Sequence, residues 1–155
     1  MSNKQIDRSE MVKNITTLLR EQSTQVVLFH AVAAEQFGLN ATDLKALHVI
    51  IKSGKMSAGQ LAETTRLTTG AVTGVIDRLE KARFVRRVLD TNDRRRIFVE
   101  LLPNTKERMA PVFAPIQKQT KAFLEKYSDA ELAVIADFVE QCIELVTSVK
   151  TIFTK

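Results

Sequence analysis

Apolar residues recur at three- and four-residue spacing along the first part of the chain. Met11, Ile15, Leu18, Val26, Phe29, Ala33 and Phe37, with Gln22 as a polar member, form one stripe. That spacing predicts an amphipathic helix over about residues 10–36. At about 1.5 Å per residue it would span roughly 40 Å, more than a small lobe can cover. Part of its apolar face is therefore expected to pack outside its own fold. Gly38 supplies a left-handed stop. Asn40 then caps a second helix, with Asp43 in the first turn where the helix dipole favours a carboxylate. Leu44, Leu47, His48 and Ile51 are expected to face inward, and Gly54 ends the helix.

Ser57-Ala58-Gly59-Gln60 has capping-box spacing and opens a short helix that buries Leu61 and Ala62. After the turn Thr65-Arg66-Leu67, Thr68 caps another helix reaching about Ala82, with Val72, Val75, Ile76 and Leu79 as its core stripe. Thr69, Gly70, Thr73, Gly74, Asp77, Arg78 and Lys81 take the opposite face. Two helices joined by a tight turn, the second exposing small polar residues near its start, form the arrangement that reads a DNA groove. The segments 84–89 and 96–101 are rich in β-branched and aromatic residues, and a polar stretch joins them. They predict a β-hairpin with an arginine-bearing tip, a wing. Asn104 and Glu107 are placed to cap the next helix, which Pro111 and Pro115 should kink or start irregularly. Ser128-Asp129-Ala130-Glu131 is a capping box for a last helix, buried through Leu132, Ile135, Val139, Ile143 and Val146.

Charge sharpens this picture. The chain carries 23 basic and 18 acidic residues, a net +5. Between Arg78 and Arg96 there are eight basic and three acidic residues, leaving fifteen of each elsewhere. Charge concentrated beside a groove-reading helix marks a surface for a polyanion, here double-stranded DNA. At 17.4 kDa the chain can bury roughly 70% of its unfolded surface. No apolar run approaches the roughly 18 residues of a membrane helix, and the start lacks a signal-peptide apolar region. With one cysteine, Cys142, the composition suits a reducing cytoplasm, and no membrane association is expected. Two histidines and one cysteine offer no multi-ligand metal site. No nucleophile–base spacing or phosphate loop appears either, so no cofactor and no enzyme activity are expected.

The order of long helix, helix, helix–turn–helix, wing and two closing helices resembles the MarR (multiple antibiotic resistance) transcription regulators. Gln60-Leu61-Ala62-Glu63, Leu67-Thr68, Ala71-Val72-Thr73, Ile76-Asp77-Arg78-Leu79-Glu80-Lys81 and Asp93-Arg94-Arg95 carry the resemblance, which covers nearly the whole chain. It implies a mainly α fold with a small β wing, a winged helix-turn-helix with N- and C-terminal dimerisation helices. Residues 1–155 would then form a single MarR-like domain, with dimerisation helices in 1–38 and 104–155 and the DNA-binding lobe in 40–102. A cytoplasmic homodimer on a pseudo-palindromic operator is implied, with the recognition helix in the major groove and the wing arginine in the minor groove. Three positions depart from the family pattern. Arg83 stands where a glycine usually ends the recognition helix, Leu102 replaces a threonine after the second wing strand, and Gly74 stands where many relatives carry arginine.

Thr68, Thr69, Gly70, Thr73, Gly74 and Arg78 are the candidate DNA-facing residues of the recognition helix. Glycine inside a helix costs about 1 kcal/mol relative to alanine. The two here signify either close approach to DNA or drift tolerated in a helix held by its core stripe. Threonine can touch a thymine methyl but cannot make the bidentate guanine contact of arginine, so readout is expected to lean on shape and water. In the wing, Arg94 and Arg95 suit the narrow minor groove of A·T-rich DNA, with Asp93 orienting one of them. By resemblance, Asp93 and Arg95 are the family pair. Phe29, His30, Phe37 and His48 could line a cleft for a small aromatic or phenolic effector of the kind the family binds; the alternative is core histidines satisfied by backbone groups. Cys142 is expected to be buried and inert. The function expected is a sequence-specific DNA-binding regulator, a ligand-responsive repressor. A winged-helix protein-interaction module and a non-specific architectural DNA binder are the alternatives.

Overall fold

The computed structural model describes residues 7–90 and 97–152, the side chains of Lys150 and Thr151 excepted. In chain order the elements are α1 (Arg8–Glu35), α2 (Ala41–Ser53), β1 (Met56–Ser57), α3 (Ala58–Thr65), α4 (Thr69–Lys81), β2 (Val85–Leu89), β3 (Ile97–Leu101), α5 (Thr105–Leu124) and α6 (Asp129–Ile152). Side-chain caps set several helix starts. Asn40 with Asp43 and Ser57 with Gln60 form reciprocal capping boxes, and Thr68 accepts the Ala71 N–H. Ser128 and Glu131 do the same for α6. Left-handed residues stop α1, α3 and α4: Gly38 at φ 66°, and Arg66 and Arg83 at φ 59°. Behind each stop an N–H reaches back five residues, from Leu39 to Ala34, Leu67 to Ala62 and Phe84 to Leu79, which satisfies otherwise orphaned carbonyls.

The chain divides into two compact units, Met1–Met109 and Ala110–Lys155. In the first, the core is built from Leu44, Leu47 and Ile50 of α2, Leu61 of α3, Val72, Val75, Ile76 and Leu79 of α4, and Phe84, Val85 and Val99. The inward face of α2 is centred on Ile50 rather than Ile51; His48 and Ile51 lie half-buried at its edge. The register shift also buries Asp43 completely, a residue expected only to cap. Strands β2 and β3 pair antiparallel, with Arg86 opposite Glu100 and Val88 opposite Phe98. The two-residue β1, too short to read from periodicity, adds a third strand in the order β1-β3-β2. Thr105 is buried at the start of α5, its hydroxyl donating to the Phe84 carbonyl at 2.6 Å.

The long first helix leaves Met11, Ile15, Leu18 and Val26 exposed, while Ala33 and Ala34 near its end are buried. In the second unit the stripe of α6 is not buried within the chain. Leu132 and Ile135 are half-buried, and Val139, Ile143 and Val146 are exposed. Cys142, on the same helix, is half-buried instead of buried. α5 is a single helix containing both Pro111 and Pro115. Among the described residues no helix is long and apolar enough to cross a membrane.

Candidate nucleic-acid interface

The hydrophobic stripe of α4 turns Thr69, Gly70 and Thr73 outward, and Thr68 is exposed at its start. Their hydroxyls are partly committed. Thr68 Oγ1 accepts the cap bond from Ala71, which leaves its O–H free to donate. Thr73 donates to the Thr69 carbonyl at 3.0 Å, which leaves its oxygen as an acceptor beside an exposed methyl. The two helix glycines differ. A Cβ on Gly70 would meet nothing within 4 Å, whereas one on Gly74 would lie 3.3 Å from Arg78 Nη1. Gly70 thus keeps the first turn of α4 bare, and Gly74 makes room for a side chain of its own helix.

That side chain reaches back to α2. Arg78 Nε donates to both Asp43 oxygens at 3.1 and 2.9 Å, and Nη2 donates to Oδ1 at 2.8 Å. The carboxylate is wholly buried and the arginine side chain 48% exposed. Asp43 Oδ2 also accepts the Asn40 N–H, so the first turn of α2 fixes its orientation. Farther along α4, Arg87 of β2 bridges Asp77 and Glu80, and its backbone N–H donates to Glu80 as well. This arginine straps the root of the wing to the recognition helix. Arg86 pairs with Glu100 across the ladder at 2.6 Å. Hydrogen bonds from Arg78 to Asp43, and from Arg87 chiefly to Asp77, hold both guanidinium pKa values above the ordinary arginine value.

Among the described residues, Arg78, Arg86 and Arg87, which belong to the basic concentration between Arg78 and Arg96, are therefore ion-paired. These pairings are not legible along the chain: Asp43, Asp77 and Glu100 lie outside that segment, and Glu80, inside it, meets Arg87 only through the fold. A signal was available. Asp43, Leu47 and Ile50 are spaced at three and four, so a carboxylate on that face had to find a cation. The expected wing-tip residues Asp93, Arg94 and Arg95 lie outside the described residues. At the other end of the wing, Arg108 of α5 donates to the carbonyls of Arg83 and Ala82. It also sits 4.1 Å over the buried Phe84 ring, anchoring the turn that follows α4.

The four residues proposed for an effector site separate into two places. His30 of α1 and His48 of α2 meet edge-on with ring centroids 5.6 Å apart. They line an open cleft of about 290 Å³ together with Leu44, Lys45 and Lys52. Phe29 stands beside His30 at 5.9 Å. Phe37 instead packs edge-on against Phe84 at 5.5 Å and is not part of that cleft. Burial, followed by the neighbouring His30, pushes the His48 pKa below the ordinary imidazole value. Among the described residues, no three His, Cys, Asp or Glu side chains stand together to hold a metal.

Comparison with known proteins agrees with this architecture. Residues 37–96 match the MarR family. The chain is 40% identical over 138 residues to the HTH-type transcriptional regulator YcgE of Bacillus subtilis, covering 89% of this chain and 90% of that one. A MarR family protein from Bacillus stearothermophilus superposes with a TM-score of 0.71 at 20% identity, over 91% of this chain and 99% of its own. Streptococcus pneumoniae FabT, solved in complex with DNA, superposes with a TM-score of 0.69 at 17% identity, over 89% and 99%. The chain belongs to the MarR family of HTH-type transcriptional regulators.

Proposed function

We propose that the protein is a homodimeric, sequence-specific DNA-binding repressor released by a small ligand. One observation carries the reading: α4 presents a bare, polar N-terminal half, Thr68 to Gly74, on a helix whose opposite face is locked into the core. A helix presented this way can enter the major groove without a side chain holding it off. FabT, which shares the fold, was solved with DNA. The exposed apolar residues of α1 and those of α6 exceed what a lone soluble chain leaves uncovered, which supports a homodimer. On this reading Thr68, Thr69, Gly70, Thr73 and Arg78 face the DNA, with Gly74 making room for Arg78. On the same reading Asp93 orients one of the wing arginines, Arg94 and Arg95, which enter the minor groove. The cleft at His30 and His48, with Phe29 beside it and Lys45 and Lys52 at its rim, suits a small aromatic acid: rings for stacking and cations for the carboxylate.

A protein-interaction module would use the same hairpin and helix without needing DNA, and an architectural binder would hold all DNA alike. Gel shifts of genomic fragments competed with heparin, on wild type, Arg95→Ala and Lys81→Ala, separate the three. Arg95→Ala should cost about 1–3 kcal/mol and relax preference for A·T-rich flanks. Lys81→Ala should weaken every sequence alike. Equal losses on all DNA would make the wing merely electrostatic, and no shift at all would favour the protein-interaction module.

A further inference from the structure

We infer that Asp43 is a positioning residue for DNA recognition: it pins the Arg78 guanidinium across the notch left by Gly74, so that the arginine meets a backbone phosphate in a fixed pose. The inference rests on the DNA-binding reading above. Asp43 takes up Nε and Nη2 and leaves Nη1 unengaged by the carboxylate. The side chain is 48% exposed although its partner is wholly buried, so the guanidinium bridges core and surface. Nη1 lies over the Gly74 backbone, where an added Cβ would sit 3.3 Å away and force the guanidinium aside by a few tenths of an ångström.

Stability alone does not account for this device. A carboxylate on the buried face of α2 must be desolvated, and an apolar pair would often serve a core as well or better. Glycine inside α4 weakens the helix further. Both are intelligible if the product is an immobilised arginine. An arginine already ordered loses little freedom on contacting phosphate, and its planar fork suits that contact. Asp43 touches no DNA in this account; it acts through Arg78.

The test titrates a labelled duplex selected by the wild-type protein across a salt series, with melting measured without DNA. The variants are Gly74→Ala, Asp43→Asn/Arg78→Gln and the triple combination. Gly74→Ala should melt no lower than wild type yet bind about tenfold more weakly with an unchanged salt slope. The double variant exchanges the ion pair for a neutral hydrogen-bonded pair. It should bind at least tenfold more weakly, with a salt slope smaller by about one phosphate contact. Adding Gly74→Ala to it should change nothing further. A double variant with wild-type affinity and slope would overturn the role of Arg78. An additional loss in the triple variant would show that Gly74 acts on DNA directly and would overturn the notch. If the double variant fails to fold, wild-type affinity in Gly74→Ala overturns the proposal by itself. Wild-type protein that binds no duplex defeats the DNA-binding reading as well.

Discussion

Arg83 offers the sharpest test of how the recognition helix is joined to the wing. It closes α4 at φ 59°, with its N–H on the Glu80 carbonyl and the next N–H, of Phe84, on Leu79. An L-residue in this conformation costs about 1–2 kcal/mol relative to glycine. Glycine also enlarges the freedom of the unfolded chain, which offsets about 0.4–1 kcal/mol of the gain. Arg83→Gly should therefore stabilise the protein by about 0.5–1 kcal/mol. For a chain of this size that is a rise in melting temperature of roughly 1–4 °C. The bonds from Arg108 use the main-chain carbonyls of Arg83 and Ala82, so they survive the change. Thermal unfolding followed by circular dichroism is sufficient, at one fixed protomer concentration because dimerisation couples concentration to melting. Arg83→Ala is the control: it removes the charge but keeps the Cβ, so it should not rise. If alanine raises the melting temperature as much as glycine, side-chain charge and not backbone strain governs the site. If neither rises, strain at φ 59° is already relieved and the reasoning fails.

Further outcomes follow from the same geometry. Gly70→Ala should stabilise α4 by about 0.5 kcal/mol, since nothing crowds the new methyl, yet weaken DNA binding tenfold or more; unchanged affinity would make Gly70 tolerated drift. Burial lowers the His48 pKa, so below the ordinary imidazole value of about 6.5 the unfolded chain binds the proton more readily than the folded one. Stability should then be full above that pH and decline as pH falls, and His48→Gln should flatten the decline in melting temperature between pH 7.5 and 5. The charge on His30, which also lowers the His48 pKa, should deepen the effect; an identical slope in the variant would assign it elsewhere. Peroxide should not release the protein from DNA through an internal disulfide, because Cys142 is the only cysteine. Release in wild type but not in Cys142→Ser would make this half-buried thiol a sensor.

Local signals carried much of the fold. The Asn40, Ser57, Thr68 and Ser128 caps, the Gly38 stop and the core stripe of α4 were all legible, because each depends on residues within one or two helical turns. The left-handed stop at Arg83 was legible through the family pattern alone. What escaped was pairing between distant segments. β1 has two residues and exists only because β3 offers an edge. The partners of Arg78 and Arg86 stand 35 and 14 positions away, so a charge count along the chain overstated the free charge on the surface. Burial along α6 also misled, since its periodicity marks an apolar face without saying what covers it. The same limit separated Phe37 from His30: both were read onto the first helical segment, yet Phe37 turns to Phe84.

On the proposed function, a dimer of this chain reads DNA sequence through α4 and the wing. Selection of duplexes from a random library by the purified full chain, followed by sequencing, tests it most directly. The expected result is an enriched inverted repeat whose half-sites are separated by about one helical turn, roughly 10 bp, with A·T-rich flanks where the wing arginines reach. Recovery of unselected sequence at every round, or of a motif without two-fold symmetry, would contradict it.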